Sequence, residues 1–138
     1  MWGLIGLDNG IDIARNDYSK KIKALEKFTT SYDRNKEYPF EVCYWRKCWN
    51  VRRDILNIID QGDAEQYRFY LDIPAIKEII KVLKSYNAKT WNYGGWTGSI
   101  WEWSEHKRIN SRHIHNLKVL IRIMRKFPDL EVYFYDSY

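Results

Sequence analysis

Residues 72 to 86 read Asp72-Ile73-Pro74 followed by Ile76, Ile79, Ile80, Leu83 and Tyr86. The capping aspartate, the early proline and the apolar stripe all place one amphipathic helix here. Such a helix buries a single stripe and needs a second layer to cover it. The flanking segments suggest which layer: Tyr67, Phe69 and Leu71 alternate with Arg68 and Tyr70 as in a half-buried strand, and Leu130 to Tyr135 reads as a closing strand.

The remaining segments extend this pattern. The opening apolar run up to Leu7 predicts a strand, Asp8-Asn9-Gly10 a tight turn, and Ile11 and Ile13 the return of a short hairpin. Asp17 is placed to cap a helix carrying Tyr18, Ile22, Leu25, Thr29 and Tyr32 on one face. After Tyr38-Pro39-Phe40, the residues Tyr44, Trp45, Cys48, Trp49, Val51, Ile55, Leu56 and Ile59 share a broad helical face, which predicts a helix over 40–60 that Gly62 caps. Residues 87–103 are irregular and rich in tryptophan and glycine, a loop entering a strand near 96–103. A last helix spans roughly 110–127, burying Ile114, Leu117, Leu120, Ile121 and Met124, and Pro128 stops it. The order is strand, helix, helix, strand, helix, strand, helix, strand. It predicts an α+β fold, a single sheet of about four strands with about four helices packed on it. At 138 residues, one domain over 1–138 is expected.

No window approaches the roughly 18 uninterrupted apolar residues of a spanning helix, and Met1 to Asp8 does not read as a secretory leader. Cys43 and Cys48 are five apart, and within a 40–60 helix they diverge and cannot easily bridge. Free thiols imply a reducing cytoplasm. A zinc site is disfavoured because no second ligand pair is present. The formal charge of +5 is a modest excess, but seven cations stand between Ser104 and Pro128 against the single acid Glu105. The C-terminal third carries the positive face.

Five features are candidates to carry chemistry. Arg52 projects into the apolar sector between Trp45, Trp49, Ile55 and Leu56, where a cation needs a partner. That partner is either an acid such as Asp8 or the phosphate or carboxylate of a ligand. Trp45 and Trp49 beside Arg46 and Lys47 either pack the core or offer a stacking surface with cations. Gly94-Gly95-Trp96-Thr97-Gly98-Ser99 is neither a Walker loop nor a dinucleotide fingerprint, yet its glycines and hydroxyls suit either a plain turn or an anion nest. His113 and His115 diverge on a helix, His113 falling on the apolar side as a core histidine. Asp8 with Asp12 and Asp129 with Asp136 are candidate carboxylate pairs, or else turn aspartates. With no nucleophile elbow and no His-x-x-x-His, the sequence predicts a binding protein and no enzyme, with no cofactor and no metal. The expected ligand set is Trp45, Arg46, Arg52, Trp91, Trp96, Thr97 and Ser99, with Arg52, Trp45 and Trp96 lining one pocket.

The start Gly6-Leu7-Asp8, the run Glu41-Val42-Cys43-Tyr44-Trp45-Arg46-Lys47, the Gly98-Ser99 turn and the close Tyr133-Phe134-Tyr135-Asp136-Ser137-Tyr138 together resemble a family of small tailed-bacteriophage accessory proteins. The chain departs from that pattern in the five residues before Gly6 and in Cys48-Trp49. The resemblance implies a phage origin, action in the host cytoplasm and a counter-defence role. It also implies two alternative partners: a nucleotide-like small molecule that the protein sequesters, or a host defence protein that it caps directly. Twenty-three aromatics and several arginines favour the nucleotide. Nucleic acid ranks third, with duplex binding expected no tighter than about micromolar at physiological salt. A homo-oligomer is compatible with the sequence, and no membrane partner is expected.

Overall fold

The computed structural model describes residues 8–29, 37–46, 48–59, 68–87, 90 and 103–137. It has an α+β fold with one four-stranded antiparallel sheet. Strand β1 (Asp8–Ile13) and strand β2 (Phe40–Arg46) precede helix α1 (Trp49–Ile58); strand β3 (Arg68–Tyr70), helix α2 (Ile73–Ser85), helix α3 (Trp103–Lys126) and strand β4 (Val132–Ser137) come after it. Two short 3-10 helices, Ser19–Lys21 and Lys23–Phe28, lie between β1 and β2. The strand order is β2-β1-β4-β3, so the first and last strands in sequence pair at the centre. Among the described residues, no helix is long and apolar enough to cross a membrane.

Asp8-Asn9-Gly10 is not a turn: it forms the first half of β1. Asn-Gly is a strong hairpin signal, but here tertiary packing overrides it. Gly10 pairs with Tyr44 on one side and Tyr135 on the other, and the Tyr135 ring lies over it where a Cβ would stand. A glycine in a strand interior marks this kind of close approach.

The expected 40–60 helix divides into β2 and α1. The aromatics of β2 are in helical phase with the true stripe of α1 by coincidence, while Val42, Tyr44 and Trp45 favour a strand once β1 offers an edge. A bulge at Val42 interrupts the pairing, Ile11 standing opposite Cys43 and Asp12 opposite Glu41, and both Val42 and Cys43 are buried. Cys43 therefore lies in a strand and Cys48 at the start of α1; both are buried free thiols, for a reason other than helical divergence.

The helix expected from Asp17 is likewise absent as a continuous element. Asn16 and Ser19 close a reciprocal turn, with Ser19 N donating to Asn16 Oδ1 at 2.6 Å and Asn16 N to Ser19 Oγ at 2.8 Å. Ile22 is extended and separates the two 3-10 pieces. Tyr32 lies outside the described residues.

Helix α2 matches its expectation closely, with the Asp72 carboxylate accepting from Ala75 N at 2.9 Å. Helix α3 begins seven residues before the expected start, at Trp103, and ends before Pro128. The strand expected near 96–103 meets α3 at Trp103, and its earlier residues lie outside the described ones.

Cross-strand register sorts the sheet into two faces. Ile11, Ile13, Cys43, Trp45, Phe69, Val132 and Phe134 share the face that the helices cover, joined in the core by Val51, Ile55, Ile76, Ile79, Leu117 and Leu120. The other face carries Asp8, Gly10, Asp12, Glu41, Tyr44, Arg68, Tyr70, Tyr133 and Tyr135. Asn116 Nδ2 donates to the Val42 carbonyl at 3.1 Å and holds α3 on β2; Asn110 Nδ2 donates to the Leu83 carbonyl at 2.8 Å and holds it on α2.

Replacing Gly10 by alanine would drive a methyl into the Tyr135 ring and to 2.7 Å from the Cys43 carbonyl oxygen, a backbone atom that cannot step aside. The variant should lose about 1–3 kcal/mol, as overpacked cores do. Urea unfolding measures it; an unchanged midpoint would show that β1 and β2 separate more easily than this packing implies.

Candidate functional site

Where the C-terminal end of β2 meets the first half of α3, a cavity of about 170 Å³ opens between Tyr44, Trp45, Arg46, Cys48, His106, Ile109, Asn110 and His113. The four α3 residues are spaced at i, i+3, i+4 and i+7, one stripe of the helix. On an ordinary core helix that stripe would be apolar. Here it holds two histidines and an asparagine.

Two polar atoms of this stripe are buried without a hydrogen-bond partner among the described residues. Asn110 is 6% exposed and His113 7% exposed, and neither Asn110 Oδ1 nor His113 Nδ1 has a hydrogen bond. Orphaned buried polar atoms cost about 1–3 kcal/mol each, so each calls for a partner from outside the chain, a buried water or a ligand. Trp45 stands edge-on to the His113 ring, centroids 5.0 Å apart, and Cys43 Sγ points to the His113 carbonyl at 3.9 Å. Burial, and after it the nearby Arg112, lowers His113 from its ordinary 6.5 to about 4. The imidazole is therefore neutral at pH 7, with one nitrogen free to accept. Burial pushes the Cys48 thiol up to about 12, so it lines the cavity as a small apolar group and not as a nucleophile.

The expected site residues separate. Trp45 and Arg46 line the cavity, Trp45 from within and Arg46 exposed at its rim. Arg52 is not among the lining residues. Its guanidinium forms a forked pair with Asp136, Nε to Oδ1 at 2.8 Å and Nη2 to Oδ2 at 2.9 Å, and Asn9 Nδ2 donates to the same carboxylate at 2.6 Å. The acid that partners Arg52 is thus Asp136 and not Asp8, which accepts from the Tyr44 hydroxyl. Arg52 and Trp45 therefore do not meet in this cavity, because α1 turns Arg52 toward the centre of the sheet. Trp91, Trp96, Thr97 and Ser99 lie outside the described residues. Of the candidate carboxylate pairs, Asp12 is bonded to Arg68 and Asp136 to Arg52, each serving the fold.

Sequence reasoning misses Asn110, His106 and Ile109 as site residues and places His113 in the core. The signal that marks them is the polar stripe itself, 106-109-110-113 along a helix whose next turns are apolar.

A second feature lies on the sheet face away from α3. Tyr38 and Tyr70 each meet Tyr133 edge-on, and Arg68 sits 3.4 Å over the Tyr38 ring while bonding Asp12. Tyr70 is 58% exposed and Tyr44 41% exposed. Comparison with protein-family models, curated proteins and solved structures finds no match. Fold and site together define an α+β domain with a small cleft at a sheet edge, apolar apart from a few buried polar groups, and a tyrosine-rich face.

Two outcomes test this geometry. Arg52→Met leaves Asp136 buried without its cation, and stability should fall by about 3–5 kcal/mol in chemical denaturation; an unchanged midpoint would return Arg52 to the role of ligand contact. For His113, the unfolded chain binds a proton below about 6.5 while the folded chain resists until about 4. Stability is therefore intact above 6.5 and declines as pH falls from 6.5 toward 4, by up to about 1.4 kcal/mol per unit. His113→Phe should remove that part of the slope.

Proposed function

We propose that this protein binds a small anionic ligand with a planar, base-like ring, such as a nucleotide, in the cavity between β2 and α3. The observation that carries the reading is the pair of buried polar atoms, Asn110 Oδ1 and His113 Nδ1, on residues that line the cavity and with no hydrogen bond among the described residues. Asn110 Oδ1 calls for a donor and His113 Nδ1 for a donor or an acceptor according to its tautomer, and the exocyclic amine and ring nitrogens of a nucleobase supply both. Trp45 and Ile109 furnish apolar walls, and Arg46 at the rim suits a phosphate that stays in solvent. A cavity of about 170 Å³ lies below the range of drug-sized pockets. It resembles in size the engineered cavities of about 150 Å³ that take up benzene. One ring system enters, and the rest of the ligand remains outside.

The resemblance to tailed-phage accessory proteins supports a purpose for such binding, the sequestration of a host nucleotide signal in counter-defence. The tyrosine face favours a second reading, a protein that caps a host defence protein directly, since tyrosines offer large rigid contact area with a polar tip.

Calorimetry and tryptophan quenching with nucleosides and with mono-, di- and cyclic nucleotides distinguish these. His113→Phe should abolish binding of every member that binds the native protein. Arg46→Gln should leave nucleosides unaffected and weaken phosphorylated ligands about tenfold or more, the scale of a lost charged hydrogen bond. A panel with no heat and no quenching up to millimolar would overturn the nucleotide reading in favour of a protein partner.

A further inference from the structure

Helix α3 presents its cations on the side away from the cavity. Lys107, Lys118, Arg122 and Arg125 fall within about 60° of arc on a helix of 3.6 residues per turn, and Arg108, Arg112 and Lys126 flank them. All seven are exposed. The stripe from Lys107 to Arg125 runs about 27 Å at 1.5 Å per residue. Among the described residues, none of the seven takes part in an ion pair. The adjacent helix adds to the excess: Lys84 of α2 contacts Lys118 side chain to side chain, and that contact, with Arg122 contributing further, lowers the Lys118 ammonium from its ordinary range. Like charges are packed together here, and among the described residues no acid lies between them, an arrangement that an external polyanion relieves.

We infer that the α3 stripe binds the phosphate backbone of a nucleic-acid duplex, independently of sequence. The shape excludes the other anions. A single small anion leaves most of a stripe about 27 Å long unused. An anionic membrane surface takes helices with apolar residues alongside the cations, and the exposed apolar residue of α3, Ile109, stands on the opposite, cavity side. A protein partner needs an apolar, charge-depleted centre to its interface, which this stripe lacks. Single strands are held by stacking on large aromatics, and from Lys107 to Arg125 the helix carries no tryptophan, tyrosine or phenylalanine. Long, flexible lysine and arginine stems along a straight helix suit regularly spaced phosphates. This site is separate from the cavity and does not depend on what the cavity binds.

Fluorescence anisotropy of a labelled duplex of about 24 base pairs and mixed sequence, as DNA and as RNA, tests the assignment between about 50 and 200 mM potassium chloride. With about four phosphates neutralised, affinity should fall about a hundredfold across that range. Binding near physiological salt should lie in the non-specific range of about 10⁻⁴ to 10⁻⁶ M. The paired substitution Lys118→Glu with Arg122→Glu changes only exposed residues; it should weaken binding at the lowest salt at least about tenfold and flatten the salt slope by about two units. His113→Phe should leave the duplex affinity unchanged, so failure of the cavity reading and failure of this one are told apart. Absence of duplex binding at the lowest salt, a slope unaltered in the charge-reversed variant, or polyglutamate bound as tightly as the duplex would each overturn it.

Discussion

The carboxylate of Asp136 accepts a forked pair from Arg52 and a third bond from Asn9, joining β4, β1 and α1 at one buried point. Three elements distant in sequence meet there, and their charges cannot be left apart inside the fold without a large penalty. The rest of the structure depends on that closure. It pairs the first and last strands at the centre of the sheet, and it anchors α1 so that Cys48, at its first turn, stands beside the end of β2. The mouth of the cavity is set by that placement.

From this anchor the protein divides its chemistry among three surfaces. The helix-covered side of the sheet is apolar apart from the Asn9, Asp136 and Arg52 cluster and the edge, where α3 crosses β2 and places Asn110 and His113 against Trp45. The far side of the same sheet is built from tyrosines whose hydroxyls are largely bonded to carboxylates, Tyr44 to Asp8, Tyr133 to Glu131 and Tyr135 to Glu41. Burial first for Tyr44, and the bond to Glu131 first for Tyr133, raise both phenols to about 12 and keep them protonated at any physiological pH. The cations, by contrast, gather on the outer side of α3. One helix therefore serves two surfaces: its 106-109-110-113 stripe faces the cavity, and its Lys107-to-Arg125 stripe faces solvent. The separation of charge is steep for a chain whose net charge is only +5.

Particular residues show how far the sequence can be read. Helix α2 is legible because its cap, proline and apolar stripe are local signals that agree, and α3 is legible in its body for the same reason. The strand at Phe69 shows in simple alternation. Asn9-Gly10 misleads because a hairpin signal is local, whereas the Tyr135 ring that occupies the space over Gly10 comes from the other end of the chain. The run from Phe40 to Arg46 misleads because residues in helical phase with a neighbouring helix carry no information about whether a strand edge is waiting to pair with them.

Arg52 shows the same division within the candidate site. Its position among apolar residues is enough to require an opposite charge, but Asp136, 84 residues on, can be named only once β4 lies beside β1. Trp45 and Arg46 can be singled out by residue type; that they share a cavity with Asn110 and His113 depends on the angle at which α3 crosses β2. The sequence by itself determined the α+β class, the helices with strong local signals, the half-buried cation and the basic C-terminal third, because periodicity, capping and charge act over a few residues. Strand order, the partner of Arg52, the two faces of α3 and the orphaned polar atoms of the cavity were decided by tertiary structure, because each is a contact between segments whose separation along the chain leaves no local trace.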